Sequence, residues 1–118
     1  MSELRVAKAS ELIKQEISQM LLYEVKDPRI GFVTITDVTM TKDLREATVY
    51  VSIMGKDKEI EDTWEGIQSA LPYLRREIGK RVRLRFTPSI SFALDKSIDY
   101  SEHIQKLLLK VERGETND

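Results

Sequence analysis

Arg75, Arg76, Lys80, Arg81, Arg83 and Arg85 all fall in the stretch YLRREIGKRVRLRF, from Tyr73 to Phe86, where Glu77 is the only acid. The chain as a whole is nearly balanced, with 19 lysines and arginines against 20 acids and a net charge of -1. One sign has therefore been gathered in one place. Guanidinium and ammonium groups at this density form charge-assisted hydrogen bonds to phosphate or carboxylate oxygens, so the block is the natural seat of a polyanion. The plain alternative is a solvated face, as most charge runs are. Against it stands the one-sidedness of the block, because a surface serving solubility alone intersperses both signs.

The block runs into an alternating pattern. Val82, Leu84, Phe86, Ile90, Phe92 and Leu94 occupy even positions, interrupted by Pro88. That spacing predicts a half-buried strand. Side chains alternate along a strand, so Arg81, Arg83 and Arg85 would form a row on its other face.

Other chemistry has little support. His103 is the sole histidine, lies in a helical stretch and has no serine or cysteine motif to act with, so no catalytic residue is assigned. There is no cysteine, which removes thiolate nucleophiles, disulfides and sulfur metal sites. Glu59, Glu61, Asp62 and Glu65 could be metal or acid-base carboxylates, but they decorate the start of a helix, where the dipole favours negative charge. No metal and no cofactor is expected, and no nucleotide fingerprint is present. Trp64 lies in an apolar helical stripe and reads as core. Tyr50 could stack on a base or cover a sheet face, and Tyr73 is open in the same way. On the first helix Arg5, Lys8 and Lys14 are diluted by Glu3, Glu11 and Glu16. Arg29 and Arg45 stand at strand entrances, either as phosphate contacts or as ordinary strand ends; Arg45 is carried forward with the basic block.

The elements that must position these residues follow from periodicity. Val6, Ala9, Leu12, Ile13, Ile17, Met20, Leu21 and Val25 mark a helix from about Leu4, ending before Asp27-Pro28 because proline disfavours helical backbone in the residue before it. In FVTITDVTM the parity of apolar residues slips between Ile35 and Val38, which predicts a bulge near Asp37. Val49, Val51 and Ile53 make a second strand, joined to the first through TKDLRE as an antiparallel hairpin. A second helix from about Lys58 carries Ile60, Trp64, Ile67, Leu71, Leu74 and Ile78, but Pro72 lies within it and must break or kink the rod at Ala70-Leu71-Pro72. Ser101-Glu102 opens a last helix with Ile104, Leu107, Leu108 and Val111. The expectation is a single α+β domain over residues 1–118, with a core of about 4–112, helices on one sheet face and a disordered tail at 113–118. A chain of 118 residues buries roughly two-thirds of its unfolded surface. No run of about 18 apolar residues occurs, so a soluble, cytoplasmic protein with no membrane span is expected. No unexplained apolar stripe argues against a monomer.

This order, with a helix-kink-helix between the second and third strands, is similar to the type II KH fold of RNA-binding proteins. The motifs DPRI (Asp27 to Ile30), VTITDV (Val33 to Val38), DLREATVYVS (Asp43 to Ser52), LRREIGKRVRLRFTP (Leu74 to Pro88) and SISFALDKSID (Ser89 to Asp99) narrow it. Spread over roughly residues 4 to 110, they resemble the ribosome-binding factor A family. Ordinary KH domains clamp nucleic acid with a GxxG loop; here Gly79-Lys80-Arg81 is followed by Val82. In the family an interhelical kink of Ala-x-Gly type replaces that loop, and it falls on Ala70, Leu71 and Pro72, with proline where glycine is usual.

The resemblance implies a non-enzymatic factor for the immature 30S subunit that binds 16S rRNA in late assembly and precursor processing. It further implies binding to free small subunits rather than complete 70S ribosomes, and support of growth in the cold. The expected RNA contacts are Arg75, Arg76, Lys80, Arg81, Arg83, Arg85 and Arg45. The alternatives are a general KH-type RNA binder unconnected with the ribosome, and an adaptor that sets its basic face against an acidic protein.

Overall fold

The computed structural model describes residues 3–112 and consists of a three-stranded sheet under a layer of helices. The first helix, α1, spans Glu3–Gln19 and buries Ala9, Ile13 and Ile17 at four-residue intervals. It does not run on to Val25 as a regular helix. Met20–Glu24 is instead a single π-helical turn, in which the Val25 amide donates to the Met20 carbonyl at 2.8 Å. The wider turn keeps Met20 and Leu21 buried, while Leu22 and Tyr23 lie exposed.

Strands β1 (Phe32–Met40) and β2 (Glu46–Met54) pair antiparallel, as expected. The register shifts between Ile35 and Asp37. Thr36 is the extra residue, and it allows Val33 and Ile35 before the bulge, and Val38 and Met40 after it, to share the helix-covered face. Between the strands, Leu44 adopts a left-handed backbone with φ 60. That conformation costs a branched residue about 1 kcal/mol or more, and burial of the Leu44 side chain offsets it. The turn is held by Asp43, whose Oδ1 accepts from the Thr41 hydroxyl at 2.7 Å and the Arg45 amide at 3.1 Å.

Helix α2 spans Asp57–Ser69 and α3 spans Leu71–Arg81. The break expected at Ala70-Leu71-Pro72 is present. Pro72 sits in the first turn of α3, where its missing N–H leaves nothing unsatisfied. The apolar stripe crosses the break, so Ile60, Trp64, Ile67, Leu74 and Ile78 enter one core with Val49 and Val51.

The third strand, β3, runs only over Ser89–Leu94 and pairs parallel to β2, with Val49 opposite Phe92. This corrects the expectation of a strand from Val82. Residues 83–88 connect α3 to β3 as a loop. The alternation of Val82, Leu84 and Phe86 is a coincidence of loop packing: Val82 is buried, Leu84 half-buried and Phe86 exposed. Helix α4, Glu102–Glu112, starts where the Ser101 hydroxyl accepts from the Ile104 amide at 3.2 Å. Ile104 and Leu108 join the core. Before it, the Tyr100 hydroxyl accepts from the Ile53 amide at 2.9 Å. The sheet order is β1-β2-β3, and the element order is the one the resemblance implies. The tail expected to be disordered lies outside the described residues.

Candidate nucleic-acid interface

Leu74 and Ile78 anchor α3 in the core, and helical geometry then dictates what its other face carries. Positions one and two residues beyond each anchor turn outward, which exposes Arg75, Arg76, Gly79 and Lys80. Arg75 and Arg76 make no salt bridge among the described residues. Lys80 makes a single surface pair with Glu77 at 3.2 Å, of the kind that contributes little and is easily exchanged for another anion.

Arg81 is placed differently. It is the last residue of α3, and its guanidinium turns back toward α1 and the π turn. Nη2 lies 2.6 Å from Glu24 Oε1 and 2.9 Å from Glu77 Oε1, and Nη1 lies 2.8 Å from Glu24 Oε2 and 3.6 Å from Glu16 Oε2. The Tyr73 hydroxyl donates to Glu24 Oε1 at 2.8 Å. Arg81 first, and then Tyr73, hold the Glu24 carboxyl down to about 2. Glu24, in turn, raises the Arg81 guanidinium above its ordinary range and pushes up the Tyr73 phenol. Lys80, ahead of Arg81, lowers the Glu77 carboxyl. Arg81 therefore shares no strand face with Arg83 and Arg85, and the expected row of three is corrected. The reason is that a bidentate pair with Glu24 was open to a residue at the helix end and not to one on a strand.

Arg83 and Arg85 are exposed on the loop 83–88. Pro88 is fully buried, and Thr87 lies against Gly79 so closely that a Cβ there would sit 2.7 Å from the Thr87 hydroxyl. The loop is thus pinned at its β3 end both to α3, through Thr87, and to the hairpin turn, where the Ser89 amide donates to the Arg45 carbonyl at 2.8 Å.

This pinning brings Arg45 of the hairpin turn together with Arg85 and Phe86 of the loop. The Arg45 guanidinium carbon lies 4.4 Å from the centre of the Phe86 ring and that of Arg85 lies 5.4 Å from it, both within the range of cation–π attraction. Phe86 itself is 46% exposed. Arg5 of α1, Leu44 and Leu84 complete a recess of about 290 Å³ around it. The alternation in the sequence predicts Phe86 as an inward strand residue, and the structure leaves it exposed on the loop. The signal that could have shown otherwise is Pro88, which breaks the alternation two residues later.

Other candidates fall outside this surface. Arg29 is bound by Asp27, with Nη2 to Oδ2 at 2.7 Å, and Asp27 raises its guanidinium. Tyr50 is half-buried on the face of the sheet turned away from the helices, opposite Asp37 and Ala93 in the ladder. Trp64 is core, as expected, at 2% exposure. His103 is exposed on α4. Among the described residues no group of three histidine, aspartate or glutamate side chains is placed to hold a metal ion, and no helix is long and apolar enough to cross a membrane.

The fold and surface define a small α+β domain with an arginine-bearing helix and loop beside an exposed aromatic. The family profile described as Ribosome-binding factor A matches residues 5–108, and the chain belongs to that family. The Ribosome-binding factor A of Caldanaerobacter subterraneus subsp. tengcongensis is 50% identical over 97% of this chain and 94% of its own. A Thermotoga maritima protein solved by NMR is 35% identical and superposes with a TM-score of 0.70, over 86% of this chain and 96% of that one. Coordinates of the Thermus thermophilus ribosome binding factor A, fitted into a cryo-electron microscopy map of its complex with 30S, share the fold. They do so at 22% identity and a TM-score of 0.61, over 76% of this chain and 94% of that chain.

Proposed function

We propose that this chain is a maturation factor that binds the free 30S subunit through 16S rRNA, acts late in assembly and in precursor rRNA processing, and departs before the 70S ribosome forms. Support comes from family membership and from the Thermus thermophilus relative placed in a 30S complex. The observation that carries the reading is the exposure of Arg75, Arg76 and Lys80 on α3, of Arg83 and Arg85 on the loop that follows it, and of Arg45 beside that loop; Arg75, Arg76 and Arg83 have no acidic partner among the described residues. Phosphate contacts of this kind fix position and orientation rather than sequence. Arg81, taken up by Glu24, Glu77 and Glu16, holds the end of α3 and so aims the helix. Binding stabilises one arrangement of maturing RNA over another, in the cytoplasm, with the factor acting as a monomer without a cofactor. A strain lacking the factor should accumulate unprocessed 16S precursor, most strongly in the cold.

Co-sedimentation tests the reading. The protein should pellet with free 30S subunits and remain in the supernatant with intact 70S ribosomes. Equal recovery with both, or with an unrelated structured RNA of similar length, would make it a general RNA binder instead.

A further inference from the structure

Resting on that reading, we propose that the Arg45–Phe86–Arg85 cluster is a nucleotide site that takes one unpaired RNA base, stacked on the Arg45 guanidinium with Phe86 behind it, while Arg85 meets the adjoining phosphate. This makes the surface a reader of single-stranded RNA as well as a docking face for phosphates.

The geometry supports each part. The Arg45 guanidinium carbon lies 4.4 Å from the centre of the Phe86 ring, yet 60% of the Arg45 side chain is exposed. The side of the guanidinium turned from the ring is therefore open, and a planar cation backed by an aromatic ring is a surface on which nucleobases stack. The carboxylate paired with it among the described residues, Asp43 Oδ2, stands 4.0 Å away, at the limit of an ion pair. Asp43 is also occupied by the Thr41 hydroxyl and the Arg45 amide. Leu44 and Leu84 line the recess beside the ring and supply apolar walls for a base edge.

The frame is rigid, which limits the ordering cost of binding. Leu44 is buried in its left-handed conformation immediately before Arg45. Pro88 is buried two residues after Phe86, and the Ser89 amide is bonded to the Arg45 carbonyl. The platform's two halves, from the β1–β2 turn and the loop before β3, are thereby tied backbone to backbone. Duplex RNA hides its base faces in the stack, so the site has a use only where a strand is open.

The test is fluorescence anisotropy with two end-labelled RNA 12-mers of equal charge, one of adenosines throughout and one carrying abasic residues at its central positions. The adenosine strand should bind about tenfold more tightly, a factor typical of one stacked base. Phe86→Leu and Arg45→Lys, the second keeping the charge but not the planar cation, should each close most of that gap. Circular dichroism would verify that both variants are folded. Equal affinity of the wild-type protein for the two strands would overturn the site, as would a gap that survives both substitutions. If wild-type protein still pellets with 30S subunits in that event, only the base site fails; if it binds neither 30S nor either strand, the proposed function fails with it.

Discussion

Arg81 and Glu24 lie 57 residues apart in the chain and face each other as a bidentate pair, with N···O distances of 2.6 and 2.8 Å. The pair ties the end of α3 to the π turn that follows α1, and the Tyr73 hydroxyl closes it from the side. A cation that looks from the sequence like part of an RNA-binding row thus serves as a clamp between helices.

The clamp should be visible in acid. The Glu24 carboxyl is held at about 2 against an ordinary value of 4.5, so its contribution is fully present above about pH 4.5 and is lost as pH falls through about 2. Urea denaturation midpoints of wild-type protein should drop between these limits more than those of Glu24→Gln, which has no such group to protonate. Parallel curves for the two proteins would mean that the pair adds nothing to folding, as exposed pairs often do not.

Binding to 30S should weaken steeply with salt. If about four of the basic groups each neutralise one phosphate, the slope of log affinity against log salt should be roughly -3 to -4. Arg83→Gln and Arg76→Gln should each reduce the slope by about one contact, and Arg81→Gln should change stability more than slope. A flat titration, or a loss at Arg81 equal to that at Arg83, would contradict the assignment of roles.

Leu74 is fully buried on α3, beneath the exposed Arg75 and Arg76. Leu74→Ala should cost about 2 to 5 kcal/mol, as a core truncation that leaves a cavity. Leu84, only half-buried in the loop, should cost distinctly less when truncated in the same way. Chemical denaturation of both variants measures the contrast, and equal losses would place Leu84 in the core after all.

Pro72 separates α2 from α3 and is itself exposed. Because it occupies the first turn of α3, its removal sacrifices no packing and restores an amide that can bond to a carbonyl of α2. Pro72→Ala should fold, show slightly more helix by circular dichroism, and bind 30S less well as Arg75 and Arg76 swing with a straighter rod. Unchanged affinity would confine the break to a role in packing.

Much of the architecture was legible because it depends on local periodicity. Ala9, Ile13 and Ile17, or Ile60, Trp64 and Ile67, repeat at the helical interval whatever lies around them, and the parity slip between Ile35 and Val38 already demanded the bulge found at Thr36. The break at Pro72 needed only the chemistry of a missing amide. The concentration of arginine between Tyr73 and Phe86 was also plain. Which arginines remain available was not, since that depends on acids brought from elsewhere in the chain. Glu16 and Glu24 reach Arg81 only because α1 packs beside α3 and its last turn widens. Arg45 reaches Phe86 only because β3 pairs with β2 in parallel and draws the preceding loop alongside the hairpin turn. Alternation of apolar residues from Val82 to Leu94 suggested one long strand, but a strand needs a partner ladder as well as a pattern. Pairing begins at Ser89 opposite Glu46, the first residue of β2, and the residues before it, left without a ladder, became the loop that carries the surface.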